Sequence, residues 1–440
     1  MKTILAGLLS LVTLAWGLDL LAAPLPPGVS LWWAIRQEAL YLTGLSSIVL
    51  MSLAMILATR PVWLERPLGG MDRIYRMHKW AGILGISLAA AHWLVEMSDD
   101  ILKALIGRTG RLPKENHVGL LEALRDLAEE MGEWAIYALL AMLVLTLWKR
   151  FPYLVWRYVH RVMPVLYLML AFHAALLSPS DYWMQPVGLL LAVFLAGGTI
   201  ASILSLMGAI GKRRLVEGTV VSVKRTAADV TEVACRLGDA WRGHRPGQFA
   251  FITFDRLEGP HPFTIACADK GDNTISFQIK ALGDYTRVLA DRLIPGQAVQ
   301  VEGPYGRFDL SRRSKRAQQI WIAGGIGVTP FLAWLESMQQ NPESAPVADL
   351  HYCTRDREQD AFVGRLEALC ATLPSIRLHV HGARQGEAIS AETLISDEKP
   401  RKPAEIWFCG PQGLADKLVD GLRTSWKGRF RFHQEAFEMR

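Results

Sequence analysis

The stretch His78-Lys79-Trp80-Ala81-Gly82-Ile83-Leu84-Gly85-Ile86-Ser87-Leu88-Ala89-Ala90-Ala91-His92 decides how this chain is read. It is an apolar run that opens and closes on histidine. A second apolar run, near 156–177, carries His160 and His173. The spacings are i, i+14 and i, i+13. At about 1.5 Å per residue, each pair is separated by roughly 20 Å along its helix. Two such helices side by side would set one histidine pair near each face of a hydrocarbon core about 30 Å thick. Facing imidazoles are a ready axial ligand set for six-coordinate haem iron. Two haems at two depths would make an electron path through the bilayer.

The angles favour one helix over the other. Fourteen residues at about 100° each fall only about 40° short of four turns, so His78 and His92 share a face. Thirteen fall about 140° short. Pro164 lies inside that second run, and its ring clashes with the carbonyl four positions back. Local tightening to about 120° per residue would close the gap. The competing reading is four buried histidines hydrogen-bonded to neighbouring helices; two pairs at matched separations favour haem.

The chain has 440 residues, of which 51% are hydrophobic, and the excess lies before about residue 210. Six runs reach or approach spanning length: about 3–22, 39–58, 78–97, 133–148, 156–177 and 186–209. Lysine and arginine set their orientation. Arg60, Arg66, Arg73, Arg76 and Lys79 lie between runs two and three; Lys149, Arg150 and Arg157 between four and five; Lys212, Arg213 and Arg214 after six. The segment 178–185 has no basic residue, and 98–132 mixes bases with acids. Both termini are therefore expected in the cytoplasm, with His78 and His160 near the inside. Lys2 and the following apolar stretch also fit a signal peptide, which leaves the later topology unchanged. This bias accounts for the net charge of +6, without a nucleic acid partner.

Cys235, Cys267, Cys353, Cys370 and Cys409 all fall in the cytoplasmic part and form no CxxC pair, which disfavours disulfides and zinc or iron–sulfur sites. In the outer segment 98–132, the pattern from Val118 to Met131 suits a helix lying on the membrane surface or packing on the span ends.

Past 214 the pattern turns to short β-rich runs. Those at 218–224, 230–236, 248–254, 274–280 and 298–302 predict an antiparallel barrel over about 213–312. From Gln319, strands at 320–323, 348–352, 377–380 and 405–408 alternate with helical runs starting near 329, 360 and 412. That alternation predicts a parallel nucleotide-binding sheet. The turn Gly324-Gly325-Ile326-Gly327-Val328-Thr329-Pro330 joins its first strand to a helix. Glycines there let a pyrophosphate approach the backbone and the helix N-terminus, although a plain tight turn has the same composition. Cys409-Gly410-Pro411 sits at the same carboxyl edge. The fold class is a multidomain membrane protein: an all-α six-helix transmembrane bundle (1–211), an antiparallel β-barrel domain (212–314) and an α/β parallel-sheet domain (315–440).

The motifs His261-Pro262-Phe263-Thr264, Lys280 to Gly283 and Thr286, Glu302-Gly303-Pro304-Tyr305-Gly306, the Gly324 turn and Cys409-Gly410-Pro411 resemble the ferredoxin-reductase flavoprotein module. His-Pro-Phe-Thr, joined to six spans with the paired histidines, is similar to the NADPH oxidase and ferric reductase superfamily, bacterial type. The resemblance implies that His261, Pro262, Phe263 and Thr264 border FAD, and that Lys280, Gly283 and Thr286 contact its pyrophosphate. Thr286 also suits a simple helix cap. It further implies that Gly324, Gly325, Gly327, Thr329 and Pro330, with Gly410 and Pro411, hold the dinucleotide. Cys409 would lie near the nicotinamide, the other reading being a buried inert thiol. Arg355, at a strand end, points to NADPH, with NADH possible and an ordinary surface arginine as the other reading, and Arg384 would assist. Residues 432–437 resemble the family's aromatic flavin cover, with Phe437 as the covering ring.

The expected function is a bacterial inner-membrane reductase. Electrons from cytoplasmic NADPH would pass through FAD and two b-type haems (His78 with His160, His92 with His173) to an external acceptor. That acceptor is molecular oxygen, giving superoxide, or a ferric chelate; the lack of an external metal-ligand cluster favours oxygen. Alternatives are a haem subunit serving a protein partner or quinone, and a membrane-tethered cytoplasmic flavin reductase.

Overall fold

The computed structural model describes residues 2–22, 27–112, 118–148, 150–394, 403–426 and 428–435. It divides into two compact units: 1–68 with 73–210, and 69–72 with 211–440.

The first unit is helical. Its helices are α1 (Lys2–Ala22), α2 (Leu31–Ala58), the short α3 (Val62–Leu68), α4 (Met71–Ile106), α5 (Leu120–Leu147), α6 (Tyr153–His160), α7 (Met163–Leu177) and α8 (Pro186–Leu206). Among the described residues six helical stretches are long and apolar enough to cross a membrane, with α6 and α7 together forming the fifth. The core joins α1, α2, α5, α7 and α8 through Val12, Val49, Met51, Leu139, Tyr167 and Leu191.

Two expectations need correction. The surface helix expected over 118–131 is not a separate element: it is the first part of α5, a continuous helix of 28 residues. The fourth span is therefore longer than 133–148, because its apolar stripe continues N-terminal to that stretch through Leu124, Ala128 and Met131. The fifth span is interrupted as Pro164 suggests, but the break is a turn at Arg161–Val162, before the proline, that separates α6 from α7. Pro164 then sits in the first turn of α7, where its missing N–H costs nothing.

The second unit holds two sheets. The strands β1 (Leu215–Ala227), β2 (Val230–Leu237), β3 (Phe249–Thr253), β4 (His261–Thr264), β5 (Thr274–Lys280) and β6 (Ala298–Tyr305) form an antiparallel sheet in the order β4-β3-β6-β1-β2-β5. Alternation does the work. Ile275, Phe277 and Ile279 of β5 and Val233, Cys235 and Leu237 of β2 point into one core. Closure into a barrel rests on one bridge, Ile265 to Phe277, in place of a full ladder. Helix α9 (Asp284–Arg292) follows β5.

The other sheet is parallel: β7 (Gln318–Gly324), β8 (Ala348–Thr354), β9 (Ile376–Gly382), β10 (Ala404–Cys409) and β11 (Phe430–Gln434), in the order β11-β10-β7-β8-β9. Helices α10 (Thr329–Gln339), α11 (Val363–Ala371) and α12 (Gln412–Ser425) connect its strands. Both faces are covered, so neighbouring residues enter opposite cores: Trp321 and Trp407 one, Ile320, Ile322, Ile406 and Phe408 the other. Residues 432–434, expected as part of a flavin cover, extend this sheet as β11, while Phe437 lies outside the described residues. The sheets are joined by Trp334, whose indole N–H donates to Pro246 O (3.1 Å), and by Arg365, which reaches Glu232 (3.4 Å) and Glu336 (2.6 Å). We propose the domain boundary between them at 314–315.

Candidate functional site

Helix α2 acts as a ruler for α4. His92 Nδ1–H donates to Leu40 O (2.9 Å) and His78 Nδ1–H donates to Ala54 O (2.8 Å). Both the donors and the acceptors are fourteen residues apart, so antiparallel helices satisfy both bonds in one register. Midway, the Ser47 hydroxyl donates to Gly85 O (2.9 Å). Gly85 lets the helices close there, since a Cβ would meet Met51 Cγ at 3.1 Å. Across the bundle, His173 Nδ1–H donates to Ala128 O (2.8 Å) and Arg125 donates to Leu176 O (2.7 Å), setting α7 against α5.

The histidines meet in pairs. The His78 and His160 ring centres are 6.1 Å apart at 84°, and those of His92 and His173 are 6.2 Å apart at 85°. A metal bound between two imidazole nitrogens at about 2 Å, each ring centre about 1 Å behind its nitrogen, requires about 6 Å. The donor chemistry fits too. An imidazole whose Nδ1 carries the proton presents a lone pair at Nε2, and the carbonyl bond fixes that tautomer. Glycines leave room for these rings: a Cβ on Gly132 would fall 2.5 Å from His173 Cε1, and one on Gly44 3.0 Å from His92 Nδ1. Among the described residues no three His, Cys, Asp or Glu gather around a metal position. An axial pair needs only two, since a porphyrin brings the other four.

In the second unit, His261 stacks on Tyr285 (4.7 Å, 14°) and lies nearly parallel to Phe263 (6.4 Å, 21°). Burial, with Asp255 and Glu258 nearby, pushes the Tyr285 phenol up to about 12. Pro262 is tolerated because β4 ends the sheet order, and Thr264 is buried beside it. Lys280 ends β5 with Nζ 3.3 Å from Asp229. Thr286 Oγ1 accepts from the backbone N–H of Leu282 and Gly283 (both 3.0 Å), so it caps the turn into α9. These groups cluster at one end of β4, β5 and α9.

In the parallel sheet the chain runs outward from β7 through β8 to β9, then crosses back to β10 beside β7 and outward to β11. The carboxyl ends of β7 and β10 thus flank the switch point where α/β sheets bind ligands. Both loops lie there. A Cβ on Gly324 would sit 2.8 Å from Pro411 Cδ, and one on Gly327 2.9 Å from Gly410 N. These glycines therefore pack loop on loop. Gly325, at φ +54°, is the one with open space around it. Thr329 donates to Ile326 O (2.9 Å), and Pro330 stands in the first turn of α10. Cys409 is buried in the core, where burial and then Glu435 push its thiol up. A protonated thiol is no nucleophile. Arg355 is exposed at the end of β8. Arg384 lies beside it: its backbone N–H donates to Arg355 O (2.9 Å), and its side chain pairs with Asp356 (3.0 Å).

Sequence reasoning missed Gly44, Gly132, the carbonyl acceptors on α2 and α5, and Glu435 beside Cys409. None carries a motif. The repeat of fourteen from Leu40 to Ala54 is visible only once the helices are known to be neighbours.

A family model described as the ferric reductase like transmembrane component matches residues 43–171, and one for an FAD-binding domain matches residues 216–309. The vanillate O-demethylase oxidoreductase of Pseudomonas sp. (strain HR199 / DSM 7063) is 26% identical over 152 residues, covering 34% of this chain and 45% of that protein. The ferredoxin–NAD(+) reductase component of the Xanthobacter autotrophicus (strain ATCC BAA-1158 / Py2) alkene monooxygenase system is 27% identical over 209 residues, covering 45% and 63%. The chain thus spans about half the length of these curated relatives. A flavohaemoglobin structure from Malassezia yamatoensis aligns at TM-score 0.49 and 16% identity, over 93% of this chain and 100% of that one, a likeness too weak to carry an argument. A ferric-reductase-like transmembrane component followed by a ferredoxin-reductase-type FAD module makes this chain a fusion of the ferric reductase and NADPH oxidase kind.

Proposed function

We propose that the chain is a transmembrane oxidoreductase that takes electrons from cytoplasmic NADPH and delivers them, one at a time, to an acceptor on the far side of a bacterial inner membrane. The observation that carries this reading is the two facing imidazole pairs at 6.1 and 6.2 Å, three of whose rings present Nε2 outward because Nδ1 is bonded to a carbonyl. FAD, when bound, separates a hydride's two electrons, and two b-type haems, when bound, relay single electrons.

The chain's own residues do the rest. His78 and His160 would hold one haem and His92 and His173 the other, with α4 placing the two sites roughly 20 Å apart. His261, Phe263 and Thr264 would border the flavin, and Lys280 would neutralise pyrophosphate charge. The open face at Gly325 and the N-terminus of α10 would receive the dinucleotide phosphates. Arg355 would grip the 2′-phosphate, which favours NADPH over NADH. The basic residues between spans two and three, between four and five and after six support both termini in the cytoplasm.

The acceptor is oxygen or a ferric chelate, and we favour oxygen because in the outer segment of the sequence His117 stands alone, without the companions a ferric site would need. The test is spectroscopic and kinetic. Purified protein should show two b-type haems, and NADPH-reduced protein should be reoxidised in single turnovers faster by oxygen than by ferric citrate. Absence of haem from intact protein refutes the reading; faster oxidation by ferric citrate reverses the acceptor.

A further inference from the structure

Three of the four span histidines are tied through Nδ1 to a backbone carbonyl on a neighbouring helix. The fourth is not. His160 Nδ1 is buried and has no hydrogen-bond partner among the described residues. The pairing of Ala128 with His173 would bring the carbonyl thirteen residues further along α5, that of Ala141, opposite residue 160 if the helix were continuous. The turn at Arg161–Val162 breaks that register.

Something else holds the ring. Trp156, one helical turn earlier, stacks on His160 at 4.8 Å with 21° between the planes. Its indole N–H donates to Thr146 Oγ1 (3.0 Å), and the Thr146 hydroxyl donates in turn to Met142 O (2.7 Å). Helix α5 thus reaches His160 through a hydroxyl and an indole, where it reaches His173 through a carbonyl. The two devices are not equivalent. A carbonyl bond fixes the ring and also makes it a more basic ligand, whereas stacking fixes only its plane.

We propose that Trp156, anchored by Thr146, is the positioning residue for the His160 imidazole, and that His160 is the most weakly donating of the four axial ligands. The inference rests on the haem reading above. It makes the His78–His160 haem the site where an axial ligand is most easily displaced once the aromatic clamp is lost.

Carbon monoxide on the dithionite-reduced full-length protein tests it, because the gas binds ferrous haem only where an axial position opens. Wild type should bind none. Trp156→Leu should give an adduct at one of the two haems. It should do so equally in a His173→Ala background, after subtraction of any adduct that His173→Ala gives alone, since the added adduct there reports the His78–His160 site. Trp156→Phe, which keeps a stacking ring, should suppress most of the adduct. Thr146→Val, nearly isosteric, should give a smaller adduct and serves if Trp156→Leu does not accumulate. If two haems are present and neither Trp156→Leu nor Thr146→Val admits carbon monoxide, the clamp is refuted while the haem reading stands. An adduct at the His92–His173 haem refutes it too. Wild-type protein with no haem overturns both.

Discussion

Gly132→Ala should cost the protein the His92–His173 haem without unfolding it. Gly132 lies one turn beyond Ala128 on α5, and a helical Cβ tilts toward the N-terminus, over the preceding turn. The new methyl would therefore enter the space between the His173 ring and the helix that holds it. A Cβ would stand 2.5 Å from His173 Cε1, whereas ordinary contact begins near 3.4 Å, so the ring must withdraw by about 0.9 Å. Added to the 2.8 Å bond from Nδ1 to Ala128 O, a withdrawal of that size carries the pair beyond hydrogen-bonding distance. Loss of such an outer partner typically weakens a metal site by about 10- to 100-fold, before any displacement of Nε2 is counted. The substitution itself favours the helix by up to about 1 kcal/mol, so destabilisation of α5 is not the expected cause. The assay is haem per polypeptide, with the reduced-minus-oxidised spectrum and a thermal melt. Gly44→Ala, where the Cβ would be 3.0 Å from His92 Nδ1, should show a milder loss. Gly17→Ala on α1, with nothing within 4 Å and away from the histidine-bearing helices, should show none. Retention of two haems and an unchanged spectrum in Gly132→Ala would refute the reasoning.

His92→Ala or His173→Ala should abolish reduction of an external acceptor yet leave NADPH oxidation by a soluble dye within about twofold; loss of both activities would contradict the proposed order. Arg355→Ala should raise KM for NADPH by about tenfold, with little change for NADH, and unaltered selectivity would reject its role. The third concerns acid stability. Burial, with His379 and His381 nearby, lowers the His351 pKa to about 3. A histidine held neutral in the fold contributes stability that is whole above its unfolded value of 6.5 and is lost as pH falls toward 3. Melting temperature should therefore decline over that window, and His351→Gln should flatten the decline; an unchanged profile would exclude His351 as its source.

The spans, the two sheets and the histidine pairs were legible from local pattern, because apolar length, strand alternation and ligand spacing are each written over a few consecutive residues. So were the glycine turns, though not their division of labour. Gly324 and Gly327 are spent on packing against the Cys409–Pro411 loop, and only Gly325 faces open space. In the tail, Phe432 and His433 belong to the edge strand β11, and Phe437, the expected covering ring, lies outside the described residues. Pro164 located the break in the fifth span to within a few residues, but not that the break would leave His160 without a carbonyl partner.

By itself the sequence determined which residues can ligate, which segments can span and which turns can approach a phosphate, since those depend on residue chemistry and short-range period. The tertiary structure alone decided that Leu40 and Ala54 serve His92 and His78, that Gly132 clears space for His173 and that Trp156 stands in for a carbonyl at His160. Each of these is a contact between neighbouring helices or across a helix break, and its existence depends on how the helices pack and where the chain turns.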